Sequence, residues 1–283
     1  MAFAFAPGER VDVGARRLAR EGAAKVLHTL EEREQDPERA IHDARRMLKR
    51  LRALCRLVRG AIGEEQRTAN VLLRDAARQL SIARDATVVL QTFDKLAGED
   101  PSAAGIRAGL RRARTRAERT PIDLPAIAEK IRAFEDGVER WRFTDDGWGA
   151  IEPGVLRTYR RGRRALSAAR EAHESEVLHD LRKRAKDLQF QLSLLRETWP
   201  AVLGGYHDAL SDLGELLGDD HDLVVLEEVL RRRRSVDVTP WLARIEDRRL
   251  ALRARMFPLA ERIWFDRPRT WTARLGFFWS HPS

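Results

Sequence analysis

Five side chains that could bind an anion recur at helical spacing early in the chain. One sector of a helix with about 3.6 residues per turn would hold His42, Arg45, Lys49, Arg52 and Arg56. Few carboxylates lie among them, so these cations would repel one another unless an anion bridged them. The spacing therefore predicts a cationic stripe suited to phosphate groups, and the alternative is an ordinary solvated helix face.

A shorter cationic stripe follows in the second part of the chain, at His179, Arg182, Lys183 and Lys186. For His42 and His179 two roles stay open, because an imidazole can donate to an anion when protonated or can be buried and fix a neighbouring helix. Tyr159 and Arg163, on the preceding predicted helix, flank the second stripe. The tyrosine would either close a groove with its hydroxyl or pack between helices.

Other site chemistries have little support in the sequence. Four His-Asp pairs begin at residues 42, 179, 207 and 221, but arginines surround the first two and would repel a divalent cation. The single cysteine, Cys55, lies on the apolar side of the first striped helix, and neither a G-x-S-x-G motif nor a Walker-type loop occurs. We therefore predict no metal, no cofactor and no catalytic step.

Composition points to an anionic partner. The chain has 283 residues, a formal net charge of +9 and a pI near 10.4, with 43% hydrophobic residues to form a core. The apolar N-terminus is too short for a signal peptide, and no uncharged run approaches the roughly 20 residues of a membrane span. We expect a cytoplasmic protein without a membrane partner. Its oligomeric state does not follow from the sequence.

The elements that position these residues are expected to be helices, because Ala, Leu, Arg and Glu dominate and no strand-like alternation occurs. We predict an all-α fold with helices at 9–34, 37–59, 64–80, 82–96, 102–119, 126–141, 153–172, 175–199, 202–217 and 220–234, and a last one from Pro240 that Pro258 kinks or ends. The aromatic tail, 266–283, is expected to dock on its own domain, with a membrane or partner anchor as the alternative.

An internal repeat organises these helices. A shift of 137 residues places 41–58 on 178–195 and, without a gap, 79–89 on 216–226. We therefore predict two similar helical bundles, 9–140 and 147–265, related by a pseudo-twofold axis. Such an axis would bring the two cationic stripes to a central basic groove or pore.

These motifs together resemble a known family, the CHAD domains, whose name abbreviates histidine-bearing α-helical domain. The resemblance rests first on an H-x-x-R-x-x-x-R-R-x-R pattern, met by His42, Arg45, Lys49, Arg50 and Arg52. It rests also on a turn that ends in Arg84-Asp85, on Y-R-R-G-R-R at 159–164 and on L-H-x-L-R-K-x-x-K at 178–186. It covers roughly residues 9 to 265, so we treat 1–283 as a single CHAD-like domain.

The resemblance implies two helical bundles around a basic groove that binds inorganic polyphosphate without catalysis, and it suggests association with polyphosphate granules. The residues implied in binding are His42, Arg45, Lys49, Arg50, Arg52, Arg56, Arg84, Tyr159, Arg163, His179, Arg182, Lys183 and Lys186. This sequence departs from the pattern at Ser81, which replaces a glycine, and at Asp187, which lies among the cations of the second stripe. The second stripe also fades, so we expect the second half to contribute less to binding.

Two other functions would use the same cations. A nucleic-acid-binding helical protein, for single strands or RNA, would have a similar stripe but normally adds aromatic rings for base stacking. Of the stripe residues and their continuations, only Phe190 supplies such a ring. A helical scaffold whose arginines contact an acidic protein is the third hypothesis. Polyphosphate is the partner that we favour.

Overall fold

The computed structural model describes residues 3–80, 82–172, 174–233 and 236–282, with the side chains of 82–84 excepted. Every regular element in these ranges is helical, so the all-α prediction is confirmed. The α-helices are α1 (Val11–Glu31), α2 (Pro37–Leu57), α3 (Arg59–Ile62), α4 (Glu65–Gln79), α5 (Ile82–Ala97), α6 (Ala104–Glu118), α7 (Leu124–Glu139), α8 (Trp148–Glu171), α9 (Ser175–Leu195), α10 (Pro200–Arg231), α11 (Thr239–Ile263) and α12 (Pro268–Ser280).

Helix α2 illustrates how local sequence signals define these elements. The Asp36 carboxylate accepts a hydrogen bond from the Arg39 backbone N–H at 3.1 Å, and Pro37 occupies the first turn, where its missing N–H costs no helical bond. Leu48 and Leu51 are buried on the apolar face. The chain turns after α3 at Gly63, whose φ of +54° favours glycine. The cationic face of α2 is therefore oriented by the burial of its leucine face.

The first bundle is a ring of four helices in which α1 contacts α2, α2 contacts α4, α4 contacts α7, and α7 contacts α1. Its core includes fully buried Leu18, Leu73 and Ile131. Aromatic rings pack near the C-terminal end of α7, where the rings of Phe134 and Trp141 lie 6.3 Å apart edge to face.

The second bundle is built from α8, α9, the first part of α10, and α12. Tyr159 on α8 stacks on Trp271 of α12 with ring centroids 4.2 Å apart, and Trp199 contacts Phe278 edge to face at 4.4 Å. The aromatic tail thus docks on helices of the same chain. Phe277 on the same helix is exposed.

Helices α5 and α6 leave the first bundle and pack against the second half of the chain. They contact each other, and α5 also contacts α10 and α11. Phe93 of α5 lies 5.1 Å from Trp241 of α11, ring centroid to ring centroid. The two halves are therefore joined at this end as well as through α2.

The junction nearest the cationic residues lies between α2 and the α8–α9 pair. Helix α2 contacts both α8 and α9, and α3 contacts α8. Gly154 of α8 makes the closest approach, because a Cβ there would lie 2.0 Å from the Leu57 carbonyl oxygen. Only glycine lets the two backbones pack at this distance.

Two predicted helix boundaries are corrected by the structure, and one of two alternatives at a third is excluded. We predicted a break at Gly218-Asp219, but α10 continues from Pro200 to Arg231, because leucines on both sides of the glycine are buried. Helix α8 begins at Trp148 instead of Pro153, so this proline lies inside the helix and leaves the Gly149 carbonyl without its helical donor. Of the two effects predicted for Pro258, a kink or an end of the helix, the structure excludes the end, because α11 continues to Ile263.

Hydropathy along the helices bears on the membrane question. Across the described ranges, no helix combines the length and the apolar character needed to cross a bilayer.

Candidate anion-binding site

A cavity of about 540 Å³ lies where α2, α4, α8 and α9 meet, and we call it the α2–α9 cavity. Among the described residues that line it, nine are lysines or arginines and one is a carboxylate, Asp187. The nine cations are Lys49, Arg52, Arg56, Arg59, Arg161, Arg182, Lys183, Arg184 and Lys186. A concave surface with this charge excess attracts anions, because its low-dielectric walls focus the positive potential.

Asp187 links α2 to α9 inside the cavity. Its carboxylate accepts hydrogen bonds from Arg56 of α2 and, at 3.2 Å, from Arg184 of α9. Arg184 also pairs with Asp180 at 2.7 Å. The Asp187 side chain is only 15% exposed, and burial raises its pKa, although Arg56 and Arg184 oppose that rise. One internal anion therefore partly neutralises the cavity.

Two of the cavity cations are held by neutral hydrogen-bond partners. Arg52 donates from Nε to the Asn70 Oδ1 at 3.1 Å, and burial, reinforced by nearby Arg56, lowers its pKa to about 10. Lys186 donates from Nζ to the Gln189 Oε1 at 3.1 Å, and burial likewise lowers its pKa. Gly214 of α10 makes room for this lysine, since a Cβ there would lie 2.6 Å from Nζ. At pH 7 Arg52 remains charged, and its hydrogen bond to Asn70 holds the guanidinium group in position.

His179 lines the cavity and stacks on His221 of α10, with ring centroids 4.4 Å apart. Burial and then Arg182 lower the pKa of His221 to about 4, and burial and then Lys183 lower the pKa of His179. Both rings are therefore largely neutral near pH 7. In the part of the chain that is described, no three His, Cys, Asp or Glu side chains are grouped to hold a metal ion.

The structure brings seven of the predicted site residues together in the α2–α9 cavity: Lys49, Arg52, Arg56, His179, Arg182, Lys183 and Lys186. The two cationic stripes thus contribute to one concave surface.

The N-terminal part of the first stripe lies elsewhere. His42 lines a different cavity, of about 870 Å³, between α2, α5 and the α6–α7 connection. Arg45 donates from Nη1 to the Ala77 carbonyl at 2.9 Å, at the end of α4. Arg50 is half-buried, and burial, followed by nearby Arg46, lowers its pKa. The Arg84 side chain lies outside the described residues.

Tyr159 and Arg163 also lie outside the α2–α9 cavity, where they connect α8 to the end of α11. Tyr159 is fully buried, donates to the Ile263 carbonyl at 3.2 Å, and has a raised pKa because of burial. Arg163 donates to the Phe265 carbonyl at 3.2 Å and to that of Asp266. Of the two roles considered for Tyr159, packing between helices is the one this geometry supports.

Comparison with known proteins identifies the family. A family model described as CHAD domain matches residues 17–231, about three quarters of the chain. The chain belongs to the CHAD domain family. The CHAD domain of the plant Ricinus communis, solved as a crystal structure, has a similar fold, with a TM-score of 0.61 at 15% sequence identity, covering 94% of this chain and 96% of the plant one. A comparison with curated proteins gives no match.

Four polar residues that line the cavity of this CHAD domain were missed by sequence reasoning. They are Arg59 of α3, Gln66 and Asn70 of α4, and Arg184 of α9. Arg161 belongs to the Y-R-R-G-R-R motif at 159–164 and lines the cavity, but it was not among the predicted site residues. Arg184 is spaced four and three residues from Asp180 and Asp187, a pattern that indicates structural ion pairs. The other residues reach the cavity only through contacts between helices, so the sequence carries no local signal for them.

Proposed function

We propose that this CHAD domain binds inorganic polyphosphate in the α2–α9 cavity without a catalytic step. The observation that carries the proposal is the charge balance of the cavity, where nine cations face one carboxylate on well-packed helices. Arginine and lysine side chains held on rigid helices can bind successive phosphate units, and arginine can do so through two parallel hydrogen bonds.

A flexible phosphate chain suits this cavity better than a nucleic acid does. Single-strand binding normally adds aromatic platforms on which bases stack. Among the described lining residues, Phe190 is the one phenyl, tyrosyl or indolyl ring. Polyphosphate needs no stacking and no base readout, and its affinity should come mainly from counterion release.

The proposal includes two similar halves around a central groove. The pairing of α1 with α2, of α2 with α4 and of α1 with α7 has counterparts in α8 with α9, α9 with α10 and α8 with α12. In this arrangement the aromatic tail corresponds to α7, and α2 and α9 become the equivalent helices that face the groove. A pseudo-twofold axis would then pass close to the contact between them.

A charge-removal pair tests the binding site. Lys49→Gln with Lys183→Gln removes one exposed cation from each half of the cavity. We expect affinity for long-chain polyphosphate to fall about tenfold, or about 1.4 kcal/mol. The slope of log K against log salt should become less steep by about 1.4, because two phosphate contacts are lost.

The matched control is Arg111→Gln with Arg116→Gln, which removes the same charge from exposed positions on α6, away from the cavity. Equal losses in the two pairs would indicate a diffuse charge effect and contradict the site. Competition identifies the ligand class: unlabelled polyphosphate should displace labelled polyphosphate better than an oligonucleotide or an acidic protein of equal charge. More effective displacement by the oligonucleotide would favour the nucleic-acid function.

The cellular role that we propose is association with polyphosphate granules in the cytoplasm. Fluorescently tagged protein should concentrate on granules, and the Lys49→Gln/Lys183→Gln pair should not. Unchanged localisation in cells that lack polyphosphate would reject this role.

A further inference from the structure

A second cationic cleft, of about 700 Å³, lies beside the α2–α9 cavity, between α3 and the outer face of α8. We call it the outer arginine cleft. Among its described lining residues are five arginines and no carboxylate: Arg59, Arg157, Arg160, Arg161 and Arg164. Pro153, Gly60 and Leu156 form the rest of the lining.

The helical register of α8 explains how the arginines converge. Four of them, at positions 157, 160, 161 and 164, follow the spacing of one helix face and span about 10 Å along the axis. The opposite face is buried, because Tyr159 packs on Trp271 and Gly162 lies against Trp264. Burial of that face fixes the direction of the arginine row.

The outer arginine cleft adjoins the α2–α9 cavity. Arg59 and Arg161 line both. Between the two lies a narrow space of about 20 Å³, whose described lining includes one carboxylate, Asp187, and five arginines: Arg56, Arg59, Arg157, Arg161 and Arg184. This space is too small for a phosphate unit, so a chain would have to pass over the arginines that border the surface from α9 across the junction to the outer face of α8.

The five cleft arginines receive little counter-charge from the described residues, since Asp180 and Asp187 act only on Arg161 and without forming an ion pair with it. None of them forms an ion pair with the described residues, in contrast to Arg56 and Arg184, which share Asp187. The pKa of Arg59 is lowered by burial and then by Arg157, and that of Arg161 by burial and then by Arg184, so neighbouring cations oppose each other's charge. An anion along the cleft would relieve this repulsion.

We propose that the outer arginine cleft is a second phosphate-binding segment, and that one polyphosphate chain occupies the cavity and the cleft together. This inference rests on the proposed function and adds a preference for long chains. Once one part of a chain is bound in the cavity, the adjoining part is held near the cleft at high effective concentration. A chain too short to pass the junction lacks this gain.

The test compares long-chain polyphosphate with tripolyphosphate as ligands. The variant is Arg160→Gln with Arg164→Gln, because both arginines line the cleft and neither lines the cavity. The charge-matched control is Arg111→Gln with Arg116→Gln on α6. Thermal unfolding shows whether both variants are folded. If Arg160→Gln with Arg164→Gln is not folded, Arg157→Gln with Arg164→Gln replaces it.

For the cleft variant we expect about tenfold weaker binding of long chains and a salt slope less steep by about 1.4, with tripolyphosphate affinity unchanged. The control should retain wild-type affinity for long chains at physiological salt. Equal losses for the two ligands, or equal losses in variant and control, would overturn the extended path while leaving the cavity as a site. Failure of the wild-type protein to bind either ligand would overturn the proposed function itself, and the cleft proposal with it.

Discussion

His179 and His221 place two titratable rings beneath a strongly cationic surface. Their lowered pKa values follow from burial and from neighbouring cations, which disfavour a further positive charge. A bound polyanion acts in the opposite direction, because it favours the protonated imidazole. Binding of a polyanion to this CHAD domain should therefore be accompanied by proton uptake at pH values at which the two rings are neutral in the free protein.

The lowered pKa of His221 predicts acid sensitivity in a defined window. The unfolded chain binds a proton at this residue below about pH 6.5, whereas the folded chain does so only near pH 4. The unfolded state therefore binds more protons in this window, so the contribution of His221 to the free energy of unfolding is lost as pH falls from about 6.5 to about 4. Between pH 7 and pH 5, the Tm of His221→Phe should therefore fall less than the Tm of the wild-type protein. His281→Gln, at an exposed position, is the control. If the Tm of His221→Phe falls as much as that of the wild-type protein, the acid sensitivity does not come from His221.

At the scale of elements, the position of α8 against α2 depends on one glycine. Replacing Gly154 with alanine would put its Cβ 2.0 Å from the Leu57 carbonyl oxygen and 2.7 Å from that of Arg56, and both are backbone atoms that cannot rotate away. The helices must separate, so we expect Gly154→Ala to reduce the free energy of unfolding by about 1–3 kcal/mol. Polyphosphate affinity should fall too, because Arg56 moves away from Arg161.

Gly205→Ala provides the control for this prediction. Gly205 lies within α10, and a Cβ there would meet no atom within 4 Å. Alanine has the higher helix propensity, so the control should be neutral or more stable by up to about 1 kcal/mol. Denaturant unfolding measures both variants, and equal stability of Gly154→Ala and wild type would contradict the tight junction.

Most helices could be predicted from the sequence because amphipathic periodicity is a local property. The errors arose where tertiary packing overrides a local signal, as at Gly218 inside α10 and Pro153 inside α8. The packing of α5 onto α10 and α11 had no local signal, because it depends on contacts such as Phe93 with Trp241. Long-range pairing of this kind is not encoded in periodicity.

The candidate site was predictable in part for the same reason. Periodicity placed Lys49, Arg52 and Arg56 on one face, and these line the α2–α9 cavity. It placed Arg45 on that face too, but α4 ends beside it and supplies the Ala77 carbonyl as a partner. Helix α2 is longer than the surface that faces α9, so a single stripe is divided between different environments.

For the whole molecule, the formal net charge of +9 is distributed so that α2 and α9 meet with like charges facing each other. Asp187 reduces this repulsion because it binds Arg56 of one half and Arg184 of the other. Its carboxylate also competes with any phosphate for those two arginines. Stability of the free protein and affinity for an anion are thereby opposed through one residue.

Asp187→Asn should consequently have opposite effects on stability and on binding. The free protein should lose about 1 kcal/mol or less of unfolding free energy, because the weaker hydrogen bonds to Arg56 and Arg184 are partly offset by relief of the burial cost that raises the pKa of Asp187. Affinity for long-chain polyphosphate should rise, and saturating polyphosphate should raise Tm more in the variant than in wild type, because the ligand restores the missing negative charge. Asp43→Asn is the charge-matched control, since Asp43 pairs with Arg46 on α2 outside the cavity. Thermal unfolding with and without polyphosphate measures both effects, and a variant that loses affinity as well as stability would mean that Asp187 organises the arginines for the ligand instead of competing with it.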